Sequence, residues 1–282
     1  MTAPAFTAAL VQMRSGRDPL ANRDAAVRLV EEAIRAGADY VQTPEMTSLV
    51  ERSRPDLFAK VGPAESDPTL SALREVARAR RVVVHVGSLA VRTGDRIANR
   101  AFLVDASGEV AAAYDKIHLF DVDLAGGESW RESATYAGGD RAVLADTPWG
   151  PVGLTICYDL RFAALYRALA EAGAVLLTAP ACFTRQTGEA HWHVLQRARA
   201  IETGSFVLSA AQGGRHEDGR ETFGHSLIVD PWGRVLAEGG TEPGVVLARI
   251  DVGQVAEARG RIPTLRNARA FTVERAATPA TA

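Results

Sequence analysis

Cys157 stands at the end of the apolar run "GLTIC" and is followed at once by Tyr158 and Asp159. A thiol at the end of a buried strand can be a packing residue or a nucleophile. A helix predicted to begin near Asp159 would favour the thiolate through its free backbone N–H groups and its dipole. We therefore interpret Cys157 as a candidate nucleophile and Cys182, in the apolar segment "APACFT", as a packing residue.

Three ionisable residues could assist such a nucleophile. Glu45 in "TPEM" follows a strand that is predicted to be buried, and burial would raise its pKa towards the range of a useful general base. Lys116 in "YDKIHLFD" could stabilise an oxyanion if it is held over a reacting carbonyl. His118 could instead act as the base for Cys157, and the residues alone do not decide between Lys116 and His118.

Neither a metal nor a cofactor is predicted. The segment "HWH" at 191–193 places two histidines at i and i+2, which point to different sides of a helix. The Gly-rich segment 213–225 contains neither a P-loop nor a dinucleotide-binding fingerprint. The candidate chemistry therefore rests on side chains alone.

Apolar runs of strand length alternate with amphipathic helical segments along most of the chain, which is typical of α/β folds. In the first half the predicted elements are strands over 8–13, 39–44 and 82–90, helices over 23–37 and 70–81, and a strand–turn–strand unit over 99–114. The second half repeats this order with strands over 152–157, 174–180 and 205–212, helices over 160–173 and 191–204, and a strand–turn–strand unit over 224–239.

Two local matches support a repeat. The segment "AGADYVQTPEMT" resembles "AGAVLLTAPACFT" in the second half, and the pattern D-x-x-G-x-V-x-A begins at Asp105 and again at Asp230. We therefore predict two similar α/β halves, packed sheet against sheet with helices outside. Sites in open α/β sheets form beyond the carboxyl ends of strands, where Glu45 of one half and Cys157 of the other are expected to lie.

Composition excludes several functional classes. The chain has 282 residues and a net charge of −2, so it lacks the basic surface that is typical of nucleic-acid binding. No apolar run reaches about 18 residues, and neither a signal peptide nor membrane association is predicted. Two cysteines cannot form a disulfide framework, so we expect a reduced, cytoplasmic setting. We predict one domain over 1–272 and a flexible tail over 273–282.

The segments "TPEM", "YDKIHLFD" and "CYDLRF", in this order, make the chain similar to the nitrilase, or carbon–nitrogen hydrolase, superfamily. The resemblance covers nearly the whole chain and implies a four-layer α-β-β-α sandwich, a Glu–Lys–Cys triad and a homo-oligomer. It implies that Glu45 is the general base, Lys116 the oxyanion stabiliser and Cys157 the nucleophile. The backbone N–H of Tyr158 would also meet the oxyanion.

The resemblance further implies a second glutamate sixteen residues after Lys116, which here is Glu132 in "WRES". Its expected role is to orient Lys116 and the substrate, and Glu128 in "GGES" is the second choice. The stretches 187–203, 210–233 and 243–251 are similar to the deaminated-glutathione amidase branch. This branch implies hydrolysis of a γ-amide to 2-oxoglutarate and Cys-Gly through a thioester.

Arg161 lies four residues after Cys157, one helical turn along, and can face the same pocket. By resemblance to ω-amidases, Arg161 would bind the carboxylate of a 2-oxo acid, with Phe183 and Thr187 at pocket positions. The loop positions of Arg185 and His216 make them candidates for the Cys-Gly end.

Several alternatives to this substrate remain open at this point. One is an ω-amidase acting on 2-oxoglutaramate, and another is a carbamoyl-amide or nitrile hydrolase. The remote alternative is a catalytically silent binding protein of the same fold, which predicts loss of a triad residue. All three triad residues are present in this chain.

Overall fold

The computed structural model describes residues 5–124 and 127–275. The strands are β1 (Ala5–Gln12), β2 (Tyr40–Gln42), β3 (Val83–Thr93), β4 (Arg96–Val104), β5 (Val110–Asp115), β6 (Asp121–Asp123), β7 (Ser129–Arg131), β8 (Tyr136–Ala137), β9 (Val143–Ala145), β10 (Val152–Leu154), β11 (Leu176–Thr178), β12 (Phe206–Ser209), β13 (Gly213–Arg215), β14 (Glu221–Phe223), β15 (Leu227–Val229), β16 (Val235–Glu238) and β17 (Gly244–Asp251). The helices are α1 (Pro19–Arg35), α2 (Arg54–Lys60), α3 (Pro68–Arg80), α4 (Ala163–Glu171), α5 (Arg185–Thr203) and α6 (Gly253–Arg261).

Two mixed sheets contain the repeated halves. The first sheet has the order β17-β1-β2-β3-β4-β5, with β8 beside β4, and the second has the order β16-β15-β12-β11-β10-β9. In the first sheet β1, β2 and β3 run parallel, and β4 and β5 return antiparallel. The strands β10, β11, β12, β15 and β16 pair in the same way. The predicted repeat is therefore confirmed.

The sheets pack face to face because their central strands are apolar on both sides. In β1, Ala8 and Leu10 lie in the core between the sheets together with Leu176 of β11. The intervening Ala9 and Val11 lie in a separate cluster with residues of α1 and α3. Helices α4 and α5 contact β10 and β12 of the second sheet. The layers are therefore helix, sheet, sheet, helix, as predicted.

The repeated motif D-x-x-G-x-V-x-A forms the same turn in both halves. Asp105 Oδ1 accepts hydrogen bonds from the backbone N–H groups two and four residues later (2.8 and 3.1 Å), and Asp230 Oδ1 does the same (2.9 and 2.8 Å). Gly108 and Gly233 adopt φ values of 84° and 83°, a region that disfavours a Cβ atom. The motif is therefore a structural signature of the strand–turn–strand unit.

The chain around Cys157 differs from the predicted strand and helix. β10 ends at Leu154, and a 3-10 turn over 157–161 precedes α4, which begins at Ala163. The predicted helix start near Asp159 is therefore wrong. The Asp159 carboxylate does not cap α4, because it is fully buried and accepts a hydrogen bond from the phenol O–H of Tyr114 (2.7 Å) in the first half.

Two further elements depart from the sequence pattern. α5 begins at Arg185 rather than at 191, and the side chain of Thr184 caps it. The C-terminal strand β17 pairs antiparallel with β1 along its whole length, so it completes the sheet of the N-terminal half. This pairing joins segments more than 200 residues apart, and the local pattern did not predict it.

Of the predicted tail over 273–282, the structure describes residues 273–275. Residues 276–282 lie outside the described residues, and 271–275 contain neither helix nor strand. Within the described ranges, no helix combines the length and apolar character needed to cross a membrane.

Gly87 of β3 lies where the first sheet meets the loops of both halves. A Cβ atom here would overlap the carbonyl oxygen of Thr43 and lie 2.6 Å from Cβ of Pro180. We expect Gly87→Ala to destabilise the fold by about 3 kcal/mol and to lower Tm by on the order of 5–10 °C. The matched control is Gly260→Ala, where the added Cβ meets no atom within 4 Å. If Gly87→Ala had the same Tm as wild type, this account would be contradicted.

Candidate active site

A cavity of about 260 Å³ lies where the segments after β2, β5 and β10 converge. Its wall includes the predicted triad: Glu45 follows β2, Lys116 follows β5, and Cys157 follows β10. The structure therefore brings together three residues that are separated by many positions in the chain. The other predicted site residues on its wall are Glu132, Tyr158, Arg161, Phe183 and Thr187.

Glu45 lies in a tight turn that the second half of the molecule holds in place. The next residue, Met46, has a φ of 57°, which is unusual for a residue other than glycine. The buried amide of Gln212 donates from Nε2 to the carbonyl oxygens of Glu45 and Met46 (3.1 Å each). Gln212 thus fixes the direction in which the Glu45 side chain leaves the backbone.

The carboxylate of Glu45 is almost completely buried, with 3% of the residue exposed. Its Oε1 accepts hydrogen bonds from Asn99 Nδ2 (2.8 Å) and Lys116 Nζ (2.9 Å). Its Oε2 accepts one from the backbone N–H of Cys182 (2.8 Å). These three donors orient both oxygens and compensate the cost of burying the charge.

The ammonium group of Lys116 lies between two carboxylates. Nζ donates to Glu45 Oε1 (2.9 Å) and to both oxygens of Glu132 (3.1 and 2.9 Å). Glu132 is fixed in turn by the backbone N–H of Phe120 (2.6 Å). Glu128 instead accepts a hydrogen bond from an indole N–H (2.7 Å). The geometry therefore favours Glu132 over Glu128 as the second glutamate.

The network fixes the charges of Glu45 and Lys116. Burial alone would raise the pKa of Glu45, but the charge of Lys116 and hydrogen bonds from Cys157, Lys116 and Asn99 hold it below its ordinary value of 4.5. Burial alone would lower the pKa of Lys116, but Glu132 and Glu45 raise it well above 10.5. Burial therefore acts on the Glu45 pKa in the predicted upward direction, but Lys116 and the hydrogen bonds outweigh it.

Cys157 adopts a φ of 49°, and its backbone N–H donates to the carbonyl oxygen of Pro180 (2.9 Å). Burial, and then the negative charge of Glu45, raise the pKa of the Cys157 thiol well above 9.0. The predicted stabilisation of the thiolate is therefore wrong, because no α-helix begins here and the nearest carboxylate is ionised. At rest the site holds a thiol, a carboxylate and an ammonium group.

His118 lies away from the triad. Its Nδ1 is 2.7 Å from Asp159 Oδ1, and its ring stacks on Phe162 with centroids 3.5 Å apart. His118 is not on the cavity wall, whereas Lys116 is. The geometry thus places Lys116, and not His118, beside Glu45 on the cavity wall.

Arg161 reaches the cavity over two aromatic rings. Its Cζ lies 5.2 Å from the centroid of Phe183 and 5.9 Å from that of Tyr158, and its Nη1 lies 3.2 Å from His191 Nδ1. Within residues 5–124 and 127–275, no carboxylate pairs with Arg161, and no backbone acceptor takes the N–H of Tyr158. Thr187, in the first turn of α5, lines the same wall. Among the described residues the site therefore offers a guanidinium that has no carboxylate partner and a backbone N–H of Tyr158 that has no acceptor.

Sequence reasoning missed three residues that build the site. Asn99 in β4 and Gln212 after β12 are fully buried, and both bond to Glu45. Cys182 lines the cavity, with its Sγ 4.0 Å from Arg220 Nη1 and its backbone N–H on Glu45. Polar residues inside apolar strands were the available signal, because buried polar groups need partners.

The two candidates for the Cys-Gly end are placed elsewhere. His216 is 4% exposed, and both ring nitrogens are engaged, with Ser15 O and Thr222 Oγ1 (2.8 Å each). Arg185 is exposed and pairs with two glutamates (2.8 and 3.1 Å). Neither residue is on the cavity wall, so both expectations are wrong.

The histidines of "HWH" point in different directions, as predicted. His191 lies beside Arg161, whereas His193 Nε2 lies 2.8 Å from Glu238 Oε1. His225 Nδ1 lies 2.7 Å from the same oxygen. His193, His225 and Glu238 therefore form a hydrogen-bonded cluster away from the cavity. The sequence pattern did not predict this cluster.

The carbon–nitrogen hydrolase family model matches residues 7–260. The deaminated glutathione amidase of Yersinia enterocolitica is 38% identical over 268 residues, covering 93% of this chain and 92% of that relative. The omega-amidase NIT2 of Mus musculus is 37% identical over 273 residues, covering 95% and 98%. The crystal structure of the C. elegans NitFhit protein matches with a TM-score of 0.88 at 33% identity, covering 95% of this chain and 66% of that chain. The chain therefore belongs to the carbon–nitrogen hydrolase family, and it is a hydrolase that acts on carbon–nitrogen bonds in amides.

Proposed function

We propose that this protein is a cysteine-dependent amidase that hydrolyses deaminated glutathione to 2-oxoglutarate and Cys-Gly through a thioester. The observation that carries the proposal is the buried contact of Lys116 with Glu45 and Glu132, beside Cys157 in one cavity. The free guanidinium of Arg161 supports a substrate that bears a carboxylate. The relatives described as deaminated glutathione amidases support this particular substrate.

In the first step Cys157 Sγ attacks the γ-amide carbonyl carbon while its proton passes to Glu45. Because the thiol pKa is raised and that of Glu45 is lowered, a free thiolate is scarce in the resting site. In the proposed step, proton transfer to Glu45 therefore accompanies C–S bond formation. The negative charge moves to the carbonyl oxygen, where the ammonium of Lys116 and the N–H of Tyr158 stabilise it.

The tetrahedral intermediate then collapses to a thioester. Its C–N bond breaks as Glu45 gives the proton to the leaving amine of Cys-Gly. A water molecule next loses a proton to Glu45 and attacks the thioester carbonyl. The C–S bond breaks, the sulfur recovers the proton, and 2-oxoglutarate leaves. Lys116 stays charged throughout, because Glu132 and Glu45 together raise its pKa.

Arg161 is proposed to bind the 2-oxo acid carboxylate on the acyl side of the scissile bond. Its Cζ lies over Phe183 and Tyr158 and its Nη1 contacts His191, so Nε and Nη2 remain for a bidentate contact with a carboxylate. Thr187 and Phe183 would contact the acyl chain from the wall formed by the start of α5. Both deaminated glutathione and 2-oxoglutaramate contain this acyl group, so Arg161 does not distinguish between them.

Turnover of these two amides, measured side by side, tests the proposal. We expect wild type to hydrolyse deaminated glutathione with a kcat/KM at least about 10-fold above that for 2-oxoglutaramate. Arg161→Gln should lower kcat/KM for both by about 10- to 100-fold, because one charged hydrogen-bonding partner is lost. Arg167→Gln on the exposed side of α4 has the same charge change and should leave both rates unchanged.

Each other outcome has a defined meaning. Preference for 2-oxoglutaramate would make the protein an ω-amidase, an alternative that the 37% identical mouse relative favours. Turnover of neither amide would overturn the proposed substrate and reopen the other amide and nitrile substrates. A folded protein with an unreactive Cys157 would point to a silent binding protein.

We also propose a homo-oligomer in a reducing, cytoplasmic setting. Both cysteines are free thiols, which suits a sulfur nucleophile. Val194, Ile201 and Trp232, on α5 and the turn before β16, are large apolar residues that are 68%, 53% and 49% exposed. Such a patch favours self-association. Light scattering at micromolar concentration would distinguish a dimer from a monomer, and a monomer would refute this part of the proposal.

A further inference from the structure

We propose that Arg52, supported by Trp130, binds the terminal carboxylate of the Cys-Gly leaving group. This inference rests on the proposed function and names the subsite that discriminates between its two candidate substrates. It replaces Arg185 and His216, which the structure places away from the cavity.

The first argument is the pairing of charges on the cavity wall. Glu51 is paired twice, with Arg17 (2.7 Å) and Lys60 (3.0 Å). Glu221 is paired with Arg185 (3.1 Å). Since Glu45 and Glu132 share Lys116, each acidic residue of the described wall already has a basic partner.

Some of the basic residues on the wall lack an acidic partner. Arg220 is paired with Asp218 (2.8 Å), but Arg52, Arg54 and Arg161 have no carboxylate within 4.0 Å among the residues that the structure describes. The guanidinium of Arg54 lies over Phe58 of α2, 5.0 Å from the ring centroid. Arg52 and Arg161 are therefore the free guanidinium groups that lie over rings of the cavity wall.

The second argument is the position of these two groups. Arg161 lies over Tyr158, whose ring contacts that of Phe120, with centroids 5.1 Å apart. Phe120 contacts Trp130 (6.4 Å), and Arg52 Cζ lies 4.4 Å from the Trp130 ring. A row of three aromatic side chains in successive contact, Tyr158, Phe120 and Trp130, thus connects these two guanidinium groups.

A substrate with one carboxylate at each end fits this row. In deaminated glutathione the acyl arm, from the scissile carbon to the 2-oxo carboxylate, is shorter than the Cys-Gly arm. Tyr158 adjoins Cys157 in the chain, so Arg161 at that end suits the shorter arm. Arg52, beyond Phe120 and Trp130, suits the longer arm. 2-Oxoglutaramate has no second arm and cannot reach Arg52.

The surroundings of Trp130 hold this subsite in place. Its Nε1 donates to Glu128 Oε1 (2.7 Å), and Arg220 Cζ lies 4.9 Å from its ring. Arg220 is held by Asp218, whose side chain is only 2% exposed. The ring is therefore held in position, and Arg52 Cζ lies 4.4 Å from its centroid. Among the described residues the Arg52 side chain makes no hydrogen bond, so its N–H groups can donate to a substrate carboxylate.

The test is a comparison of Arg52→Gln and wild type on both substrates. We expect kcat/KM for deaminated glutathione to fall by about 10- to 100-fold and that for 2-oxoglutaramate to change less than about twofold. Arg28→Gln on α1 removes the same charge far from the cavity and should change neither value. Deaminated glutathione with its terminal carboxylate converted to an amide provides a second readout. Wild type should lose the same factor on this analogue, and Arg52→Gln should lose nothing more.

The outcomes separate this inference from the proposed function. If wild type hydrolyses deaminated glutathione and Arg52→Gln does so equally well, the Arg52 subsite is wrong and the function stands. Equal losses on both substrates would also overturn the subsite, because they would indicate a general effect on the active site. If wild type does not hydrolyse deaminated glutathione, the proposed function fails and this inference fails with it.

Discussion

Cys157→Ala is expected to reduce Cys-Gly release from deaminated glutathione to the uncatalysed background, a loss of at least about 10⁴-fold. The variant removes the sulfur that forms the thioester, and the neighbouring thiol cannot replace it. Burial raises the pKa of the Cys182 thiol to about 12, and Glu45 accepts a hydrogen bond from the backbone N–H of Cys182 but from the side chain of Cys157. The thiol of Cys182 therefore lacks the base that can take the proton of Cys157. Initial rates of Cys-Gly release, measured at saturating substrate, check this result.

Cys182→Ala is the matched control, because both cysteines line the cavity. Cys182 contacts Glu45 through its backbone N–H, which alanine retains, so this variant should keep most of the activity. Cys157→Ala should also melt close to wild type, since it deletes one atom and leaves the buried ion pairs intact. Substantial turnover by Cys157→Ala would show that another group attacks the amide.

The covalent intermediate gives an independent readout. Wild type quenched in acid during turnover should carry a 2-oxoglutaryl group on the peptide that contains Cys157, as measured by mass spectrometry. The same peptide from Cys157→Ala should remain unmodified. An adduct on Cys182 instead would show that Cys182, and not Cys157, is the nucleophile.

The layered fold was predictable because its signals are local. The period of the apolar residues distinguishes strands from helices, and the repeated turn at Asp105 and Asp230 depends on residues within four positions of each aspartate. The position of β17 was not predictable in this way. Its partner β1 is more than 200 residues away, and strand pairing at such a separation leaves no local pattern.

The positions of Glu45 and Cys157 at strand ends were likewise predictable, whereas their ionisation was not. Glu45 and Cys157 each follow a strand, which the apolar runs reveal. The sign of their pKa shifts depends on Lys116, Asn99 and mutual burial, which only tertiary packing brings about. A helix dipole beside Cys157 is a local inference, and it failed because the chain forms a 3-10 turn there.

Glu45→Gln is expected to lower kcat/KM by about 10²- to 10⁴-fold, the usual contribution of a general base. Glutamine keeps the shape of the side chain, and its single carbonyl oxygen can accept from Lys116 and Asn99 at the position of Oε1, but its NH2 group at the position of Oε2 cannot accept from the backbone N–H of Cys182. It cannot take the proton of the Cys157 thiol or deliver it to the leaving amine.

Glu132→Gln removes one of the two negative charges beside Lys116 and should lower kcat/KM less, by about 10-fold, because Glu132 accepts no proton in the reaction. A larger loss for Glu132→Gln than for Glu45→Gln would reverse these roles.

The pH dependence of kcat/KM distinguishes a general base from a preformed thiolate. The active form has Glu45 ionised, and its pKa lies below 4.5, so activity falls only as the pH drops through that lowered value. The pKa of the Cys157 thiol lies well above 9.0 and that of Lys116 well above 10.5, so neither group titrates between the lowered pKa of Glu45 and pH 9. Wild type should therefore show a plateau from about pH 5 to about pH 9, and Glu45→Gln should lose the acid limb together with its activity. A rate that instead climbs through this range, in parallel with alkylation of Cys157 by iodoacetamide, would mean that a thiolate formed before substrate binding carries out the attack.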